Sequence, residues 1–154
     1  MAAYFFDSSA LVKAYIAESG SDWVRSIMDP TAANDVHIVR MTEVEITSAV
    51  IRRKRAGTLT SHKAAVALDE FRRDARYEFH LIGIETHLIA SAIRSAEAHG
   101  LRAYDALQLA SALALKNIRS DLALSPLILA SSDQELNAAA RSEGILVEDP
   151  NNYP

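Results

Sequence analysis

Short apolar runs alternate with helix-patterned segments along this chain, and no other feature narrows its fold so far. The runs near 3–6, 36–39, 79–82, 127–130 and 145–148 have the length and composition of strands. Between them, helical patterning covers 8–17, 20–28, 42–55, 60–77, 85–99 and 103–117, and a further helix starts near Gln134. Strands separated by helices need crossovers rather than hairpins, so the order predicts an α/β fold with a five-stranded parallel sheet flanked by helices. With 154 residues, 49% of them hydrophobic, the chain is sized for one well-filled core, and no linker, repeat or low-complexity tract divides it. A single domain over 1–154 is expected.

The helical segments carry readable faces. In 60–77, Ala64, Leu68, Phe71 and Ala75 form one stripe, with Arg72, Arg73 and Arg76 off it. Over 85–99 the same spacing selects Ile89, Ala92, Ile93 and Ala96, and Gly100 ends the segment. Gly57 stands where a helix ending at Arg55 needs a left-handed residue. The 103–117 segment is apolar almost all round, with Ala106, Leu107, Leu109, Ala110, Leu113, Ala114 and Leu115 covering more than one stripe. That surplus predicts burial on several sides, including against a second copy in a homodimer. Arg119 to Pro126 reads as a surface loop.

Four acids sit at the joints of the pattern: Asp7 in YFFDSSALVKAY, Glu45 in MTEVEITSAVIRR, Asp105 in LRAYDALQLASAL and Asp133 in LILASSDQELNAAA. Asp7 ends the first apolar run as Ser8, Ser9 and Ala10 open a helix, and Asp133 follows Leu127 to Ala130 through Ser131 and Ser132. Carboxylates at the carboxyl ends of parallel strands share the edge where open α/β sheets place their ligands. Brought together, such acids raise one another's pKa values, and a hard divalent cation is the partner that keeps them ionised. Helix capping is the competing role. It alone would account for Asp7 or Asp105, and Thr42-x-x-Glu45 is itself a capping-box pattern. Ser132-x-x-Glu135 would instead cap the last helix and leave Asp133 free. Taken singly, each acid keeps both roles open.

Other chemistries find less support. With no cysteine, disulfides and thiolate zinc sites are impossible. His37, His62, His80, His87 and His99 lack paired ligand spacing, which argues against a histidine zinc site, and the five scattered glycines form no phosphate-binding loop. The apolar stretches are too short to span a membrane and the N-terminus lacks a secretory pattern, so a cytoplasmic protein with no membrane association is expected. A formal net charge of −4 opposes a uniformly basic nucleic-acid binder but leaves room for a local patch. Arg52, Arg53, Lys54 and Arg55 form one at the end of the segment bearing Glu45. Contact with RNA phosphates and compensation of the helix dipole are both open there.

The order of four motifs, DSSALVK, EITSAVIRR, GLRAYDALQLA and SSDQEL, together with the chain length, resembles that of PIN domains, and among them the VapC toxins of type II toxin–antitoxin pairs. The likeness runs from Tyr4 to Asp149-Pro150. It implies a PIN-like three-layer sandwich and an endoribonuclease that uses Mg2+ or Mn2+ to hydrolyse RNA phosphodiester bonds. On the matching positions it implies a catalytic set of Asp7, Glu45, Asp105 and Asp133, with Asp7 and Asp105 as principal metal ligands and the other two as further ligands, partly through water. Ser9 and Ser131 match hydroxyl residues that support them. Glu43 lies two residues from Glu45 and would face another side of the helix, so only one can be the second acid; the spacing to Ala49 favours Glu45. Arg52, two turns beyond Glu45, and Lys13 are candidate RNA contacts, although Lys13 equally reads as a surface residue.

The resemblance also implies a VapB-like antitoxin that covers the acidic crevice with a basic side chain. A solitary RNA-processing PIN nuclease and a non-catalytic PIN-fold interaction module are the alternatives. A haloacid dehalogenase-like phosphatase using Asp7 as nucleophile expects a second aspartate two residues on, where this chain has Ser9.

Overall fold

The structure, a computed structural model, describes residues 1–153. Strands β1 (Ala3–Phe6), β2 (Asp35–Val39), β3 (Phe79–Ile82), β4 (Leu127–Ala130) and β5 (Leu146–Glu148) form one sheet in the order β3-β2-β1-β4-β5. Every neighbouring pair is parallel. The helices are α1 (Ser8–Tyr15), α2 (Ser21–Met28), α3 (Met41–Arg55), α4 (Ser61–Tyr77), α5 (Thr86–His99), α6 (Ala103–Asp121) and α7 (Gln134–Ser142). Among the described residues, no helix is long and apolar enough to cross a membrane.

Side chains leave β1 alternately, and this divides the interior in two. Ala3 and Phe5 join Leu127 and Leu129 of β4 in a core closed by α5, α6 and α7. Phe6 joins Val36, Ile38 and Ala130 in a second core closed by α1 to α4. The result is the expected three-layer α/β sandwich. A parallel strand buried on both faces needs apolar residues in succession, which is why the first strand lacks a polar alternation. From β1 the chain winds outward through β2 to β3, then returns to β4 on the other side of β1. The reversal between β1 and β4 opens a crevice beyond the carboxyl ends of the strands.

Two expectations fail. Helix α5 buries Leu88, Ala92 and Ser95, while Ile89 and Ile93 are 44% and 55% exposed. The helix is rotated from the predicted stripe because small Ala92 and Ser95 allow close approach to α6, a choice that spacing alone cannot register. The second failure is the loop beginning at Arg119. Helix α6 runs on to Asp121, and the buried Arg119 guanidinium donates to Ser125 O (2.9 Å) and Ser125 Oγ (2.8 Å), closing the turn that leads into β4. The 103–117 residues Ala106, Leu107, Leu109 and Ala110 are buried within the chain itself. Leu113, Ala114 and Leu115 are only half-buried, and further apolar surface follows at Ile118 and at Leu122, which caps the helix.

A short turn at Pro150–Asn152 straps the end of the sheet to the junction of α1 and α2. Lys13 Nζ donates to Asn151 Oδ1 (3.0 Å), and Trp23 stacks on Tyr153 with centroids 4.8 Å apart. Gly20 makes the approach possible: its φ is +85°, and a Cβ there would run into the Pro150 carbonyl. Gly20→Ala combines an unfavourable φ with that collision and should destabilise the chain by more than about 1 kcal/mol. The expected reading is a lower urea midpoint at an unchanged m-value.

Candidate active site

Asp7 occupies the crevice where β1 ends. It is only 3% exposed, and it caps α1 by accepting from the Ser9 backbone N–H (3.2 Å). Its Oδ2 also accepts from the Ser9 hydroxyl (2.5 Å) and the Ser131 hydroxyl (3.3 Å). Each serine has a second task. Ser9 Oγ accepts from the Ser132 backbone N–H (2.9 Å), and Ser131 Oγ accepts from that of Asp133 (3.1 Å), so the exits of β1 and β4 are laced together through hydroxyls. The Asn137 side chain, fully buried, donates to the Ser131 carbonyl (2.9 Å) and anchors the lacing from α7.

The other acids approach from three helices. Glu45 projects from the first half of α3 and accepts from Gln108 Nε2 (2.8 Å), which also donates to Thr42 Oγ1 (3.1 Å). Thr42 is thus a buried residue inside α3, and the predicted Thr42–Glu45 capping box does not form: the helix starts one residue earlier, and Glu45 is turned to α6. Glu43 pairs with Arg40 at 3.3 Å, on another side of the helix. Asp105 lies in the first turn of α6, whose N-cap is Arg102, so capping does not explain it. Asp133 does cap its helix, accepting from the Leu136 N–H at 2.9 Å, which corrects the expected Ser132–Glu135 box. The Ser132 hydroxyl is left buried without a partner among the described residues.

The carboxylates feel one another. Burial pushes the Asp7 pKa up, against the pull of hydrogen bonds from Ser9 and Ser8, and the Asp133 charge adds to the rise. Glu45 is pushed up to about 7, first by burial and then by the Asp7 charge; Gln108 and Ser8 oppose, and Asp105 adds a little more. Burial raises Asp105 to about 6, reinforced by Asp133 and Asp7 and only partly offset by Arg102. The fold therefore brings all four predicted acids into one electrostatic neighbourhood. Among the described residues, no three His, Asp or Glu side chains close on a common point as ligands do. The donor set still fits a hard divalent cation: it is all oxygen, and positive charge is what would relieve its repulsion. The N-termini of α1, α6 and α7 add partial positive charge to the same crevice.

Beside the acids runs a groove of about 490 Å³, bordered by Ser8, Ser9, Glu45, Val44, Ser48, Arg52, Arg53 and Tyr104. Arg52 is exposed on its wall, at the predicted two turns beyond Glu45. Lys13 is not a surface residue. It is 6% exposed, bonded to Ser19 O (2.9 Å) and Asn151, and 3.8 Å from Glu18, so its ammonium is taken up in fastening the strap. Gln108 and Asn137 went unnoticed in the sequence. The available signal was a lone amide in each case on a helix face otherwise made of small and apolar residues.

An α/β sheet with acids gathered at its switch point defines a class of ligand-binding and hydrolytic folds, and sequence comparison narrows it. The profile of the PIN domain matches residues 4–142, nearly the whole chain. The chain belongs to the PIN domain family, whose members are generally nucleases. A search of curated protein sequences finds no match. Among solved structures, the fold is similar to VapBC2 from Rickettsia felis bound to a DNA fragment from their promoter, with a TM-score of 0.62 and 16% identity over 96% of this chain and 98% of that one. PAE2754 from Pyrobaculum aerophilum is similar at 0.57 and 20% identity, covering 99% and 94% of the two chains. FitAcB from Neisseria gonorrhoeae is similar at 0.55 and 16%, covering 96% and 97%.

Raised carboxyl pKa values have a stability consequence with a definite sign. Glu45 and Asp105 hold protons more tightly folded than unfolded, so the native state binds more protons between the ordinary carboxylate range and about pH 7. Stability then falls as pH rises through that window. In EDTA the Tm should be higher near pH 5 than near pH 8, Glu45→Gln should shrink the difference, and excess Mg2+ should restore Tm at pH 8. An equal pH-dependent drop in parent and variant would show that Glu45 is not perturbed in this way.

Proposed function

We propose that this chain is a VapC-like, metal-dependent endoribonuclease in which Asp7, Glu45, Asp105 and Asp133 hold Mg2+ or Mn2+ and RNA phosphodiester bonds are hydrolysed. The observation that carries the reading is the gathering of four mutually repelling carboxylates at the switch point of a PIN fold. When bound, a divalent cation supplies polarisation of a phosphoryl oxygen and a lowered pKa for a nearby water. The chain's own residues supply position. Ser9 and Ser131 fix the Asp7 carboxylate, Gln108 aims Glu45, and the α6 and α7 starts present Asp105 and Asp133. Arg52 offers the crevice a cation for a neighbouring phosphate, which a site crowded with acids needs in order to admit a polyanion.

The same reading includes a VapB-like antitoxin as partner and a cytoplasmic homodimer. The fold likeness to VapBC2 and FitAcB supports the first. For the second, the exposed Ile89 and Ile93 of α5, Ile118 of α6 and Leu122 at its C-cap supply apolar surface. A single light-scattering series reads both: the chain alone should give a dimer mass at tens of micromolar, and adding its co-encoded small partner should give a larger complex that no longer cleaves RNA. A monomer removes the dimer from the proposal. A neighbour that neither binds nor inhibits leaves a solitary nuclease.

Cleavage itself is tested on isosteric variants. Asp7→Asn and Asp105→Asn should each lower metal-dependent RNA cleavage beyond the roughly 10–100-fold typical of losing an outer-sphere partner, with unchanged circular dichroism. Gln108→Leu should fall within that range. Glu45→Gln should be inactive and Glu43→Gln active, and the reverse pattern would move the second acid to Glu43.

A further inference from the structure

Tyr104 is placed without an intramolecular reason. Tyr4, Tyr15 and Tyr153 each pack against another aromatic ring, and Tyr77 lies beneath the Arg76 guanidinium. Tyr104 has neither a ring partner nor a hydroxyl hydrogen bond among the described residues. It stands 56% exposed in the first turn of α6, immediately before Asp105. It borders the groove beside the acids together with Val44, which is 62% exposed.

The groove combines several chemistries. Val44, Ser48 and Arg52 lie at i, i+4 and i+8 on α3 and so share one stripe. Arg52 is about 10 Å along the helix from Glu45, two turns away. Neighbouring Arg53 is engaged by Glu18 at 3.7 Å, whereas Arg52 has no ion pair among the described residues. Glu18, the one acid at this end, is thereby balanced by Arg53 and Lys13. The wall carries carboxylates, an exposed ring and an aliphatic side chain next to two of them in sequence, and two turns along α3 from Glu45 a guanidinium free of ion pairs. Those are the complements of a cation-bridged phosphate, a base and a second phosphate.

Resting on the nuclease reading above, we propose that Tyr104 and Val44 form a subsite for one unpaired RNA base, with Arg52 on a flanking phosphate, and that this subsite sets the register of the scissile phosphate over the acids. A base can reach an exposed ring only when it is out of a duplex stack, so the subsite takes single-stranded segments. Every base has a π-face, so its preference is graded by stacking strength rather than absolute. The competing occupant is the apolar face of a protein partner.

The test compares parent, Tyr104→Ala and Tyr104→Phe on short single-stranded RNAs that differ at one nucleotide beside the cleaved bond. Binding is read separately, in the Asp7→Asn background, from the fluorescence of a 2-aminopurine placed at that nucleotide. Tyr104→Ala should raise KM about tenfold, the scale of one lost base–aromatic stack, with a smaller change in kcat. It should also flatten the preference between purine and pyrimidine and abolish the quenching of 2-aminopurine. Tyr104→Phe, which keeps the ring, should retain the quenching and the preference. If the parent cleaves RNA and Tyr104→Ala leaves KM, preference and quenching unchanged, the subsite is overturned and the nuclease reading stands. If Tyr104→Ala instead weakens only the co-encoded protein partner, the ring belongs to that interface and the proposal is likewise overturned. A parent that neither cleaves nor binds RNA with Mg2+ or Mn2+ removes both.

Discussion

A carboxylate held almost entirely out of water at the end of β1 is the constraint around which the molecule is arranged. Burying the Asp7 carboxylate without compensation is strongly unfavourable, and its raised pKa records that burial. The compensation comes from Ser9 in the next turn and from Ser131, just past the end of β4 and far away in sequence. Because the two serines also hold the backbone N–H groups of Ser132 and Asp133, the hydrogen bonds that make Asp7 tolerable also fix the start of α7. A stabilising network and the geometry of the crevice are one set of contacts.

Two opposing fields meet there. Burial and mutual repulsion favour protonated acids, while three helix starts favour anions. In Glu45 and Asp105 the first influence wins: burial and the neighbouring carboxylates push them up to about 7 and about 6. Added positive charge favours the ionised forms of these acids. That preference follows from the arrangement of the acids and holds for any such ligand that enters the crevice, whether a cation or a basic side chain.

Much of this was legible in the sequence because the relevant signals are local. Strands β1, β3 and β4 match the predicted 3–6, 79–82 and 127–130; β1 and β4, buried on both faces, must be written as unbroken apolar runs, while edge strand β3 admits His80 and is the least buried of the three. The α4 stripe of Ala64, Leu68, Phe71 and Ala75 is buried as read. Errors arose where the outcome depends on a distant partner. Which of two adjacent stripes α5 buries is decided by α6, Glu45 escapes its local capping pattern because Gln108 lies opposite, and Lys13 is drawn inward by Asn151. Local motifs propose such contacts, and the assembled layers choose among them.

The strand order carries a consequence for timing. β1 is central, and one of its two edges is completed only when Ala3 to Phe6 pair with Leu127 to Ala130. During synthesis the first strand must therefore wait with that edge bare until most of the chain has emerged, and loop closure over such a span is a late, slow event. Ser131, Asp133 and the strap that fastens Lys13 arrive later still. A nascent chain on the ribosome, surrounded by RNA, thus carries Asp7, Glu45 and Asp105 without the segment that organises them. The topology withholds the finished crevice until β4 and the start of α7 have emerged.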